Sequence, residues 1–408
     1  MARDAISRPS LQPLLNTSTL SVQPALPLPG AEAGYIGRHA PAHPPVPGAA
    51  PARTARVRAQ IAVLSAGIPR VLLGGDPPAN WGVTALVGQV FVEEWASSYG
   101  SPYLIVPDDD TTAAVLIEDG PEFLAHTPDE AAALMRPLAF IDGVRRGDAS
   151  LYQQGNDTGL LAPGIAGSHG CGAVVIDPGQ RPAFAREQVT RMVIWGSGLN
   201  GTLPAQPGGW SWQSGCVDSD EPDAPLQELQ QRMRQAEGRL AETLCEDGYL
   251  TIVDGPLSYV RSRDLPVVGY VKTHSRALLA VEHHVRVPEL SAGQRTSLFT
   301  LGADRYSAYL RLAPVSASYG PWTGIVRIEI PQSSGLDAAV TVADAVASVV
   351  PRFAGIAHRD PRAPQNLQPV AALEKHLRHL LGDGGLAKRA VRESVAALTA
   401  SSNAALTS

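Results

Sequence analysis

Cysteine, lysine and long apolar runs are all scarce in this chain. Its 408 residues hold three cysteines, Cys171, Cys216 and Cys245. An odd number without C-x-x-C pairing excludes a disulfide framework and a zinc ribbon, and fits a reducing compartment. No window approaches the roughly 18 uninterrupted apolar residues of a membrane span. The opening MARDAISRPSLQP lacks the apolar core of a signal peptide, so the expectation is a soluble, cytoplasmic protein without a membrane role. Lysine occurs only at positions 272, 375 and 388, leaving 30 of 33 basic residues as arginine; coding bias accounts for this better than a taste for phosphate. Against 39 acidic residues the net charge is −6, which excludes the global basicity of a protein that coats nucleic acid. No Walker A sequence is present, and Gly196-Ser-Gly198-Leu-Asn-Gly201 runs into TLPAQPGG, which cannot open the helix that a dinucleotide fingerprint needs. His169 and Cys171 in GSHGCG have no matching pair, and His283-His284 lacks the H-E-x-x-H spacing of zincins.

Glycine and proline are abundant, 39 and 35 residues, about 18% of the chain against about 12% in average usage. Ten of the prolines fall in residues 1–51, and such a stretch cannot bury enough apolar surface to offset its chain entropy. Residues 1–55 are therefore expected as a Pro/Ala-rich arm, 56–136 as an accessory section and 137–400 as the core with C-terminal helices. Between Ser101 and Met135 lie eight acids and no Lys or Arg, which reads as a solvated acidic face. Apolar, β-branched runs predict strands at 137–144, 249–257 and 265–273, and GIVRIEIP (324–331) alternates as a half-buried strand does. From Pro225 to Asp247, Leu226, Leu229, Met233, Ala236, Leu240 and Leu244 form one helical stripe. Further helices are expected at 337–350, 367–381 and 386–399, giving a mixed α/β core.

Two of the strands end alike, in Ile141-Asp142-Gly143 and Val253-Asp254-Gly255. If they are neighbours, two carboxylates share one small space, and one pKa rises sharply unless a cation sits between them. Hard ions such as Mg²⁺ or Mn²⁺ want this oxygen ligation. Glu237 lies on the buried stripe of the long helix, where a glutamate needs a partner or a metal; Glu242, five residues on, is the alternative. His358 follows, in a section (352–393) with eight Lys/Arg and four Asp/Glu. The order Asp, Glu, Asp, His matches the metal-binding groups of ribonuclease-H-like nucleases, which use two metal ions. Arg145 and Arg146, close behind the first aspartate, and Arg359 and Arg362, beside the histidine, are candidates for contact with DNA phosphates. Arg327, alternating with Glu329, suits a structural ion pair or a solvent face.

In FIDGVRR, RMRQAEGRL, YLTIVDGPLSY, PVVGYVKTH, YLRL with GIVRIEIP, and AHRDPRAPQNL followed by LEKHLRHLLGD, the chain resembles the NurA nuclease family from about Pro137 to Leu381. The resemblance implies a ribonuclease-H-like fold, related to Argonaute PIWI domains. It implies a Mn²⁺- (or Mg²⁺-) dependent DNase with two ions per site, working at DNA ends as a homodimer beside a HerA-type hexameric ATPase. Asp142, Glu237, Asp254 and His358 take the metal positions, and Lys272 matches a lysine placed near the phosphate. A non-catalytic DNA-binding or scaffolding subunit, and an enzyme acting on RNA or hybrids, are the alternatives.

Overall fold

The computed structural model describes residues 91, 95, 114–128, 136–154, 161–260, 266–314, 316 and 318–406. The chain divides into two units, Met1–Val83 and Thr84–Ser408, and all described residues belong to the second. The proline-rich arm expected over 1–55, and most of the accessory section, lie outside the described residues.

A mixed sheet forms the body of the second unit. Its first strands are β1 (Ala125–His126), β2 (Leu138–Gln154), β3 (Leu161–Ile176), β4 (Ala183–Trp195) and β5 (Gln213–Cys216). Helix α1 (Ala224–Glu246) then leads to β6 (Leu250–Asp254) and β7 (Val267–Val271). After these come β8 (Arg295–Thr296), β9 (Phe299–Leu301), β10 (Arg305–Arg311) and β11 (Ile325–Pro331). Helices α2 (Leu336–Val349), α3 (Gln368–Leu380) and α4 (Gly384–Leu406) close the chain. The spatial order is β1-β8-β10-β11-β7-β6-β2-β3-β4-β5, with β9 on β10. Strands β2, β6 and β7 run parallel to one another, while β2, β3 and β4 form an antiparallel meander.

Parallel strands read as continuous apolar runs because helices cover both faces. Side chains alternate, so neighbours along a strand face opposite helices. Ala139, Ile141 and Val253 pack with Ala241 and Leu244 of α1. Phe140, Val144, Ile252 and Tyr270 pack on the other face with Val346 of α2 and Leu373 and Leu377 of α3. None of the helices among the described residues is long and apolar enough to cross a membrane.

Strand β6 pairs only with Leu138–Ile141 of β2, whereas β2 runs on with β3 as far as Gln154. The sheet therefore forks just past Ile141. Residue 142 and the carboxyl ends of β6 and β7 meet at this fork, the part of an α/β sheet where ligands characteristically bind.

Residues 114–128 also belong to this body. Strand β1 pairs with β8, and Leu116 and Phe123 pack against Phe299 and Tyr309. Two of the acids expected on a solvated face are engaged in the structure. Glu118 receives Arg295, which is fully buried, through both oxygens at 2.7 Å, and Arg295 also donates to Asp344 of α2 at 2.6 Å. Asp119 accepts from Ser297 at 2.7 Å and lies 2.8 Å from His126. Arg327 and Arg305 both donate to the buried Glu329, at 2.6 and 2.8 Å, so Arg327 has a structural ion pair.

Candidate metal centre

Alternation along three parallel strands puts Asp142, Asp254 and Lys272 on one face. Asp142 lies between Phe140 and Val144, Asp254 follows Ile252 and Lys272 follows Tyr270, all of them residues of the α2/α3 side. Helix α3 supplies a further acid. Glu374 sits between Val370, Leu373 and Leu377 on the stripe that faces the sheet. Carboxylate oxygens of Asp142, Asp254 and Glu374 lie within 4.8 Å of one another. Lys272 places its Nζ 2.6 Å from Asp254 Oδ2 and donates to Asn366 Oδ1 at 2.6 Å. Asn366 donates in turn to Asp360 at 2.6 Å, and Arg362 holds both oxygens of Glu374 at 2.8 Å.

Glu237 approaches from the opposite face. It stands 1% exposed on α1, and a side chain on Gly143 would collide with its Oε1 and lie 2.8 Å from Met233 Cγ. Its Oε2 accepts from Arg234 Nη1 at 2.8 Å, and the same nitrogen donates to the backbone oxygen of Asp254 at 2.6 Å. Glu237 Oε1 is buried without a hydrogen-bond partner among the described residues. Gly255 has φ +122° and lets the Arg234 guanidinium lie against its backbone. Each glycine of the two Asp-Gly pairs thus makes room for one member of the Arg234–Glu237 pair.

The electrostatics follow from crowding acids where water is scarce. Burial, then the charges of Asp254 and Glu237, push the Asp142 carboxyl well above its ordinary range, with Lys272 pulling the other way. Burial pushes Glu237 up to about 7, with Asp254 adding to the rise and Arg234 opposing it. Cys171 is buried behind both acids, and its thiol is raised by burial and by their charge, so it stays protonated and inert. Three converging carboxylates, the desolvated Asp142 among them, make an all-oxygen donor set that fits a hard divalent cation.

No family model matches the chain, and no curated protein matches it. Among solved structures it is similar to the crystal structure of the NurA nuclease from Sulfolobus solfataricus, at 12% identity. That alignment covers 60% of this chain and 83% of the other, with a TM-score of 0.33. A score at that level does not establish a shared fold. The site therefore stands on its own geometry.

The remaining residues nominated by sequence divide. His358 is on an exposed turn and is not part of the carboxylate group. The segment that carries it does reach the site, but through Asp360, Arg362 and Asn366. Arg359 is exposed and immediately precedes Asp360, which faces inward to Asn366. Arg146 is spent within the protein, donating to Asp148 and to the Gly382 carbonyl at 2.6 Å, which ties β2 to the end of α3. Arg145 is exposed and hydrogen-bonds Gln230 of α1. Glu242 is half-buried and Glu237 buried, a turn and a half apart on the helix.

Sequence reasoning missed Glu374, Arg234 and Asn366. Glu374 carried the same signal as Glu237, an acid inside an apolar helical stripe, here in VAALEKHL. Glu118, Asp119 and His126 form a second group with ligand atoms within 4.8 Å. Arg295 and Ser297 already satisfy its acids.

Proposed function

We propose that this protein is a divalent-cation-dependent deoxyribonuclease that processes DNA ends, built on a ribonuclease-H-like sheet. The convergence of Asp142, Asp254 and Glu374 in the sheet fork, on the face that also carries Lys272, is the observation that supports it. The meander β2-β3-β4, the crossover helix α1 and the parallel pair β6-β7 support the ribonuclease-H-like part of the reading. Asp142, Asp254 and Glu374 would hold the cation, Mn²⁺ or Mg²⁺, with Glu237 in support from beneath Gly143. When bound, such an ion lowers the pKa of a water and offsets charge on a leaving oxygen. Arg234 fixes the end of β6 by bonding the Asp254 backbone, which keeps that carboxylate aimed at the fork. Lys272 presents its ammonium to a non-bridging phosphate oxygen, held in place by Asn366. Arg359, exposed at the rim, suits a neighbouring phosphate and contributes affinity without sequence preference, whereas Arg145 lies on the α1 face, where only DNA that passes round the sheet edge would meet it. In the reaction a water oxygen bonds phosphorus and the bond from phosphorus to one deoxyribose oxygen breaks. One water proton ends on the leaving hydroxyl and the other passes to solvent.

The test is degradation of single- and double-stranded DNA, with and without Mn²⁺, beside matched RNA and hybrid strands. Wild type should cut DNA only with the cation, and Asp142→Ala or Asp254→Ala should lose at least a hundredfold in rate. Activity that survives both substitutions overturns the reading. Cation-dependent binding without cleavage would favour a scaffolding subunit, and cleavage of RNA alone the ribonuclease alternative. The sequence resemblance extends the proposal to a cytoplasmic homodimer working beside a HerA-type hexameric ATPase. Co-purification that yields only monomer in the presence of such an ATPase would count against that extension.

A further inference from the structure

We infer that the site takes one divalent ion, not two, and that Lys272 stands permanently in the place of the second cation. This rests on the metal-dependent reading above and deepens it. The two ions of a two-metal site sit about 3.5–4 Å apart and act as a symmetric clamp on the attacking and leaving oxygens. A carboxylate that bridges such a pair gives one oxygen to each ion. Asp254, the obvious bridge, already has Oδ2 committed to the Lys272 ammonium at 2.6 Å. That ammonium cannot easily swing away. Lys272 is 9% exposed, and its Nζ is also bound by Asn366 Oδ1, which Asp360 anchors at 2.6 Å.

The division of labour is then asymmetric. The ion serves Asp142, the uncommitted side of Asp254 and Glu374, while Lys272 meets the phosphate on the other side as a fixed ammonium.

The count can be read without any turnover, by titrating the full-length, chelator-stripped protein with MnCl₂. Free Mn²⁺ is followed by electron paramagnetic resonance and heat by calorimetry. One ion per chain is expected, lost in Asp142→Asn. Lys272→Met, which removes the resident cation and exposes Asp254 Oδ2, should bind a second ion, and Lys272→Arg should stay at one. Two ions per chain in wild type, both lost in Asp142→Asn, would overturn the inference while leaving the metal-dependent reading intact. No bound ion at all would overturn both. Should Lys272→Met fail to fold, the wild-type count and the Asp142→Asn control decide alone.

Discussion

Glu237 is a carboxylate, 1% exposed, with one oxygen on Arg234 and the other without a hydrogen-bond partner among the described residues. Burial and the nearby charge of Asp254 raise its pKa from 4.5 in the unfolded chain to about 7 in the fold. A raised carboxyl means that the folded state keeps a proton that the unfolded state has released. Its contribution to stability is therefore fully present below about pH 4.5 and is lost as pH rises through about 7. The loss is on the order of 3 kcal/mol at about 1.4 kcal/mol per pH unit. Asp142 is raised in the same direction and steepens the same slope. Cation-free protein should thus become markedly easier to unfold in urea between pH 5 and pH 8. Glu237→Gln should flatten the profile by about 3 kcal/mol and leave only the part due to Asp142; a profile unchanged by the substitution would remove Glu237 as its cause. Cation binding needs the deprotonated acids, so the thermal shift produced by Mn²⁺ should be larger at pH 8 than at pH 5.5.

Strand β2 is built around Gly143, because Glu237 Oε1 and Met233 of α1 fill the space that a side chain would need. Gly143→Ala overpacks that contact and should cost about 1–3 kcal/mol in a urea titration, with weaker Mn²⁺ binding as Glu237 is displaced. A variant as stable as wild type and with full cation affinity would mean that α1 can shift away at little cost. The same close approaches decide which elements could be read from sequence. β6, β7 and the first half of β2 are apolar runs, β11 alternates and α1 carries an unbroken stripe, so these residues announce their elements, whereas β2 continues to Gln154 through polar, largely exposed positions that do not. β3 does not, although it is 16 residues long. Its Gly164 lies under Trp195, and its Gly167 under Leu229 of α1, so glycine stands where a strand would normally show its pattern. β4 opens on exposed, mostly polar positions and hides equally well. At the site, Asp142, Asp254 and Lys272 were legible because each ends or follows an apolar run. Glu374 depends on how α3 docks against the sheet, and His358 on a turn whose direction no local pattern encodes.

Across the whole second unit, charge that looked like solvated surface in the sequence is partly structural. Arg295 is fully buried, yet it reaches Glu118 before the sheet's long strands and Asp344 on α2, so three distant stretches of chain meet at one guanidinium. Burial would lower its pKa, but the bonds and charges of Glu118 and Asp344 raise it overall, and the pair holds its charge. Glu118 also accepts from the Leu298 backbone at 2.8 Å, which secures the entry to β9. Removing one partner of such a pair strands the other charge away from water, whereas replacing both with apolar groups of similar size can be nearly neutral. Glu118→Ala should therefore cost about 3–5 kcal/mol, because the one carboxylate left to Arg295 among the described residues is Asp344, itself 36% exposed, beside the Thr296 carbonyl. Glu118→Leu combined with Arg295→Met should recover most of that loss, since Leu298 then gives up a single backbone contact instead of a buried charge. A double-mutant cycle by chemical unfolding measures the coupling. If the section before residue 136 were a separate accessory layer, Glu118→Ala would barely move the transition. A large coupling, with one cooperative transition in every variant, would show that 114–128 and the sheet carrying the candidate metal centre unfold as one body.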